Sequence, residues 1–364
     1  MEQLQRLLRQ GLDAGYYLGA AFSVVHVCDG VLGRGWVGRA QENPDVFVGA
    51  DTVWDLASLT KPLATAGSIL MLAGEGAFHL DEDLARFLPG DSPSLRGITL
   101  RHCLTHTSGL RPWEKLHSQN WSRSEIVHKV RSAERQRPAG QGYAYSDLGY
   151  ILLGEVVESV SGHSVAAFAA ERIFGLLGML HTTYLPPAEW AGRVAATRCP
   201  DRKRVLVGEV HDGNCWAMGG VAGHAGLFGS LGDLETYARM ILNGGEVGGT
   251  RILAPLLVRQ MGRNQNPAGI SGHTLGWFTR PNGYFPGGDF LPQEAFGHTG
   301  FTGTSLVLAP SLGIGVVLLT NRVYMETDAA PFLRFRRRWH NAAAACLSTP
   351  ADDPRAAGAA CGAV

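Results

Sequence analysis

Charge is scarce in this chain of 364 residues. Asp, Glu, Lys and Arg make up 18% of it, against roughly a quarter in an average soluble domain, and 32 basic residues balance 32 acidic ones. A net charge of zero offers no footprint for a polyanion and argues against DNA, RNA or an anionic membrane as the main partner. Lysine is scarcer still, occurring only as Lys61, Lys115, Lys129 and Lys203, so that arginine supplies the other basic residues. A lysine kept in so arginine-rich a chain points to something arginine cannot supply, such as an amine whose pKa can fall on burial. The cysteines at 28, 103, 199, 215, 346 and 361 form no C-x-x-C pair. That argues against a zinc ribbon or a thioredoxin-like motif and suits a reducing compartment. The histidines show no H-E-x-x-H and no tight cluster with Cys or Asp, so no metal or other cofactor is expected. No run approaches the ~18 apolar residues of a membrane span, and the first ten residues lack a signal-peptide apolar centre. The expectation is a soluble, cytoplasmic protein without a membrane partner. Glycine, by contrast, is abundant: 48 residues, about twice the usual share, imply many tight turns and close backbone approaches.

Leu4, Leu7, Leu8 and Leu12 recur at helical spacing and predict an amphipathic helix over residues 2–13. Residues 20–27 and 31–37, joined by Cys28-Asp29-Gly30, read as a β-hairpin. A second β-rich block covers 304–309 and 314–320, followed by a helix over about 328–346. Between these blocks the chain is helical: 63–72 is apolar almost all round and reads as a buried helix, and 148–160 and 164–177 read as amphipathic helices, the second capped by Ser164. Strands at both ends with helices between predict an α+β architecture, an antiparallel sheet from the N- and C-terminal segments flanked by terminal helices, with a mostly helical second subdomain. The expected boundaries are a single domain over 1–340, with a sheet subdomain from about 1–57 and 275–340 and a helical subdomain over about 58–274. Residues 341–364, rich in alanine, are expected to form a disordered tail.

Lys61 alone among the lysines has a serine three residues upstream, in Ser58-Leu59-Thr60-Lys61. At the start of the buried helix this spacing sets both side chains on one face, where a desolvated amine can take a proton from a hydroxyl. An N-capping Ser58 with a snorkelling Lys61 would account for the same pair. Tyr145-Ser146-Asp147 precedes the helix at Leu148, and a phenol beside a cationic lysine is expected to have a lowered pKa and to carry protons. Gly297-His298-Thr299-Gly300-Phe301 leads into the strand at Ser305, where glycines let a substrate lie against backbone N–H groups.

In this order the three elements resemble the serine β-lactamase and penicillin-binding-protein superfamily, most closely its class C branch with the related DD-peptidases and esterases. The resemblance runs from about residue 18 to about 340. Trp54-Asp55-Leu56-Ala57, Leu104-Thr105-His106-Thr107-Ser108-Gly109-Leu110, residues 148–154 and Gly223-His224-Ala225-Gly226-Leu227-Phe228 carry it further. It implies Ser58 as nucleophile, Lys61 as its activating partner and Tyr145 as general base and acid. It also implies an oxyanion hole from the backbone N–H groups of Ser58 and Phe301, with Asp147, His298, Thr299 and Gly300 binding substrate. Two positions depart from the family pattern. Asp147 stands where an asparagine is usual, and an ionised carboxylate cannot donate to a substrate carbonyl but can pair with Lys61, which favours Tyr145 as the base. His298 stands where a lysine is frequent and is mostly uncharged at neutral pH. Both favour a carboxylesterase-type activity on a small-molecule ester or amide over an efficient β-lactamase. The alternatives are a DD-peptidase, D-aminopeptidase or weak β-lactamase, and a non-catalytic relative that binds an acylated or peptide ligand.

A rival alignment takes Ser146-Asp147-Leu148 as a broken class A Ser-Asp-Asn. His211, Asp212, Cys215 and His224 read either as a wall of the site or as a polar loop, the loop being favoured. Ser164 in Gly162-His163-Ser164 reads as a helix cap rather than a nucleophile.

Overall fold

The computed structural model describes residues 1–347 except Pro89, Asp91 and Pro281. Strands Gly19–His26 and Ile314–Thr320 are apolar at nearly every position, which demands cover on both faces. They pair with each other, antiparallel, at the middle of a seven-stranded sheet with a core on each face, Ala20 opposite Thr320 and His26 opposite Ile314. Gly30–Gln41 and Val46–Phe47 extend the sheet on one side. Ser305–Ala309, Phe296–Thr299 and Phe278–Thr279 extend it on the other. The last two strands, of four and two residues, are too short to have shown a period of their own.

Alternation along the central strands sorts the two cores. Phe22, Val24, Val316 and Leu318 face the terminal helices Glu2–Asp13 and Ala329–Ala345, meeting Leu4, Leu8, Phe335 and Trp339. Ala21, Val25, Val317 and Leu319 face the helical region. Residues 341–345, expected in the disordered tail, continue the C-terminal helix because Ala342 and Ala343 are buried in the outer core; residues 348–364 lie outside the described residues.

The helical region departs from its expected boundaries in one respect. Helix Leu231–Leu242, assigned to the second subdomain, packs on the inner face of the sheet, with Ala238 beside Gly315 and Glu235 bonded to Arg34. Short strands Val53–Asp55, Leu227–Ser230 and Thr183–Tyr184 form a small sheet at the junction. The buried helix runs as Lys61–Ala66, wound in wide π turns, and then Gly67–Gly74. Asp147–Ser161 stands beside it, and Ser164 caps the next helix by accepting the Ala167 N–H at 3.2 Å, as expected. Among the described residues no single helix is long and apolar enough to cross a membrane.

Candidate active site

Ser58 lies in the tight turn Ala57–Leu59, where the junction strand Val53–Asp55 gives way to the buried helix. Ala57 has φ +47°, a left-handed conformation that an L-residue holds only when its surroundings impose it. The Asp55 carboxylate imposes it, accepting the Ala57 N–H at 2.8 Å with one oxygen and the His211 N–H at 2.7 Å with the other. Burial pushes the Asp55 carboxyl up from 3.8 to about 6, with Asp212 adding to the effect and the two amide hydrogen bonds opposing it.

One turn on, the fully buried Lys61 meets three oxygens. Its Nζ donates to Ser58 Oγ at 2.9 Å and to the His224 carbonyl at 3.0 Å, and forms an ion pair with Asp147 Oδ1 at 2.7 Å. The two hydrogen bonds use two of the three N–H bonds of an ammonium, and the carboxylate balances its charge. Asp147 is the first residue of its helix, where the backbone dipole favours an anion, and its own N–H donates to the Pro112 carbonyl at 2.8 Å. Ser146 serves as cap: its hydroxyl donates to Arg111 O at 2.8 Å and accepts the Gly149 N–H at 3.2 Å. That role turns Ser146 from Ser58 and removes the rival alignment.

Tyr145 covers the pair, its ring centroid 4.9 Å from Lys61 Nζ. The expectation of a lowered phenol pKa is corrected. Packing against His106, Phe278 and Tyr284 together with the Asp147 carboxylate raises it well above the ordinary value, and an interaction with the Ser58 hydroxyl does not reverse this. The expectation counted the lysine charge but not the burial, which disfavours a phenolate.

The Gly-rich strand end is pinned to the Ser58 turn by two hydroxyls, Thr302 donating to Asp55 O at 2.7 Å and Thr304 to Leu56 O at 3.1 Å. Gly300 permits this approach, since a Cβ there would lie 2.4 Å from Leu56 O. Phe301 is thereby held next to the Ser58 turn with its ring exposed, over the Arg322 guanidinium at 4.8 Å. Thr299 is half-buried, and His298 lies near Tyr145, their ring centroids 5.9 Å apart. It is fully buried, stacked on Phe278 at 4.3 Å, with Nδ1–H donating to Thr299 O at 2.9 Å. Burial and then the Lys61 charge push its pKa well below 6.5, so His298 is a neutral ring beneath the cleft.

His106 and His273 were assigned no role, although His106 sits in one of the motifs that carry the family resemblance. His106 accepts the Ser146 N–H at 2.9 Å and packs 4.4 Å from Tyr145 and 4.7 Å from His273. Burial lowers the pKa of both, His273 to about 3, so Tyr145 rests on neutral rings. The Cys215 thiol donates to Ala225 O at 3.2 Å, and burial with the nearby Asp212 and Asp55 pushes its pKa up, which suits a structural thiol rather than a nucleophile. No group of His, Cys, Asp and Glu among the described residues could hold a metal ion.

An α+β body with a serine at the head of its buried helix defines a serine-hydrolase type of protein. The Beta-lactamase family profile matches residues 4–337, and the chain belongs to that family. Two Escherichia coli proteins, from strain K12 and O157:H7, provisionally named D-alanyl-D-alanine carboxypeptidases, are each 30% identical to it, over 88% of this chain and 82% of their own. The fold is shared with a class C β-lactamase from Rhodobacter sphaeroides, at 20% identity and TM-score 0.74 over 95% of this chain and all of that one. It is shared equally with EstCE1, a hydrolase with promiscuous acyltransferase activity, at 19% identity and TM-score 0.75 over 93% of this chain and 97% of that one.

Proposed function

We propose that the protein is a serine esterase that forms an acyl-enzyme on Ser58. The observation that carries this is the set of three partners on Lys61 Nζ. The His224 carbonyl can only accept, an ionised Asp147 can only accept, and Ser58 Oγ alone can also donate. An ammonium can take the Ser58 proton only by passing one on, and Asp147 Oδ1 at 2.7 Å is positioned to receive it. Ser58 Oγ then bonds to the acyl carbon while its proton moves to Lys61 and a lysine proton moves to Asp147. Backbone N–H groups at Ser58 and Phe301 stabilise the developing oxyanion. As the bond to the leaving group breaks, Tyr145 gives it a proton and recovers one from Asp147 through Lys61, a neutral relay rather than a standing phenolate, in keeping with its raised pKa. Water attacks the acyl-enzyme by the same route in reverse.

The neutral, buried His298 provides no permanent cation for a substrate carboxylate, which favours a small-molecule ester over a β-lactam. A second reading, hydrolysis of a peptide ending in D-alanyl-D-alanine, is favoured by the names of the Escherichia coli relatives. A fluorophosphonate probe followed by peptide mass spectrometry is expected to find the adduct on Ser58, and Ser58→Ala to lose 4-nitrophenyl acetate turnover by about 10⁴-fold or more. An unlabelled Ser58, or a Ser58→Ala variant at full activity, sinks the proposal. Faster release of D-alanine from a peptide than of nitrophenol from the ester selects the second reading.

A further inference from the structure

The contact that completes the Lys61 environment is a backbone carbonyl, and a carbonyl is held only as well as its own residue. That residue is His224, buried, with Nε2 2.9 Å from Asp212 Oδ1. The same Asp212 oxygen accepts the Cys215 N–H at 2.7 Å and so caps the helix Gly213–Ala217. That helix is fixed in turn through Asn214, whose side chain accepts the Leu116 N–H at 3.0 Å and donates to Glu114 O at 2.8 Å. On its other side the His224 segment is seated on the helix pair: Thr65 donates to Gly223 O at 2.7 Å, and Gly223 approaches Gly154 so closely that a Cβ would lie 2.0 Å from Tyr150 O.

We propose that the His224 imidazole and the Asp212 carboxylate form an anchor that holds the His224 carbonyl in place, and through it aims the Lys61 amine at Ser58. His224 is thus a positioning residue, and its role rests on the proposed Ser58–Lys61 chemistry. With one N–H of the amine fixed on His224 O and its charge drawn to Asp147, the amine is held with another N–H on Ser58 Oγ. If the carbonyl turns away, the amine gains a degree of rotation and proton transfer loses its alignment. The charged and titratable groups around the anchor include Lys61, Asp55, Tyr145, Cys215, Arg202 and His211, the last two joined by a hydrogen bond from Arg202 to His211 O at 2.9 Å. Burial opposes ionisation of Asp212, but the His224 ring, the Cys215 amide and the Lys61 charge outweigh it and hold Asp212 well below the ordinary carboxylate range. The anchor therefore keeps its anion throughout the working pH range.

Reach provides the test. A glutamine amide nitrogen extends to about where His Nε2 lies, whereas an asparagine nitrogen stops near the position of Nδ1. His224→Asn and His224→Gln are compared with the wild type by kcat, KM and the pH profile of 4-nitrophenyl ester hydrolysis, with thermal melting to establish folding. The expected result is a drop in kcat of about 10-fold or more for His224→Asn, KM within twofold, a displaced pH profile, and recovery of most of the activity in His224→Gln. Equal activity of the two folded variants, or equal losses in both, overturns the anchor. Asp212→Ser keeps a helix-capping hydroxyl for the Cys215 N–H but withdraws the carboxylate from His224 Nε2, and gives a second route if His224→Asn does not fold: its kcat falls with KM unchanged, and a wild-type kcat overturns the proposal. Fluorophosphonate labelling of the wild type separates the two levels. If Ser58 is labelled and the variants behave as wild type, the anchor alone fails; if wild-type Ser58 stays unlabelled, the chemistry beneath it fails.

Discussion

Asp147 is one of the two positions at which the sequence departs from the pattern its resemblance implies, and the structure gives the departure a chemical context. The carboxylate lies 2.7 Å from an amine that is itself 2.9 Å from the Ser58 hydroxyl. If it takes the proton that Lys61 passes on, Asp147→Asn preserves shape and removes the acceptor. Ester turnover by that variant is expected to fall by about 10²-fold or more in kcat with little change in KM, read by steady-state kinetics. Undiminished turnover would mean that Lys61 passes its proton elsewhere. The Ser58–Lys61 spacing was legible because helical geometry is local: three residues apart on one helix are neighbours whatever the rest of the chain does. The electrostatic state of Tyr145 was not. It depends on a carboxylate two residues away in sequence, on rings from residues 106, 278 and 284, and on how much water they exclude.

At the level of the element, the turn Ala57–Leu59 is held in a strained conformation by Asp55, and this carries a stability cost that varies with pH. In the fold this carboxyl keeps its proton up to about pH 6, whereas in the unfolded chain it releases it near 3.8. The contribution of Asp55 to stability is therefore full below about pH 4 and is lost as pH rises through about 6. The shift corresponds to about 3 kcal/mol. Urea unfolding of wild type and Asp55→Asn at pH 4 and pH 7 is expected to show the wild type losing ground to the variant by about that amount. A gap that does not change with pH would return Asp55 to an ordinary carboxyl. At pH 7 the ionised carboxylate offers two acceptors to two amides where asparagine offers one, so Asp55→Asn also loses part of its activity. The sequence marked Asp55 only as part of a family resemblance, since its partner His211 is 156 residues away.

At the scale of the molecule, the first helix and the last described helix form one layer. Trp339 is fully buried, edge-on to Phe22 at 5.4 Å, and its Nε1–H donates to Leu4 O at 3.4 Å, so a single ring joins the C-terminal helix, the first strand and the N-terminal helix. Trp339→Ala is expected to lower the unfolding free energy by about 3–5 kcal/mol in urea titration. Below the transition its kcat should stay at the wild-type value, because the sheet separates Trp339 from Ser58.

The sequence by itself determined the elements whose cause is local. These are the helix of residues 2–13 from its leucine spacing, the hairpin from its Asp-Gly turn, the cap at Ser164, and the pairing of Ser58 with Lys61. Only the tertiary structure decided what needs distant atoms to meet. It buried His298 beneath the cleft and set helix Leu231–Leu242 against the sheet. It also brought Asp212 and His224 to the back of Lys61, 163 residues beyond it in the case of the His224 carbonyl. Periodicity and propensity act within a few residues along the chain, whereas desolvation and charge depend on whatever the fold packs within a few ångströms.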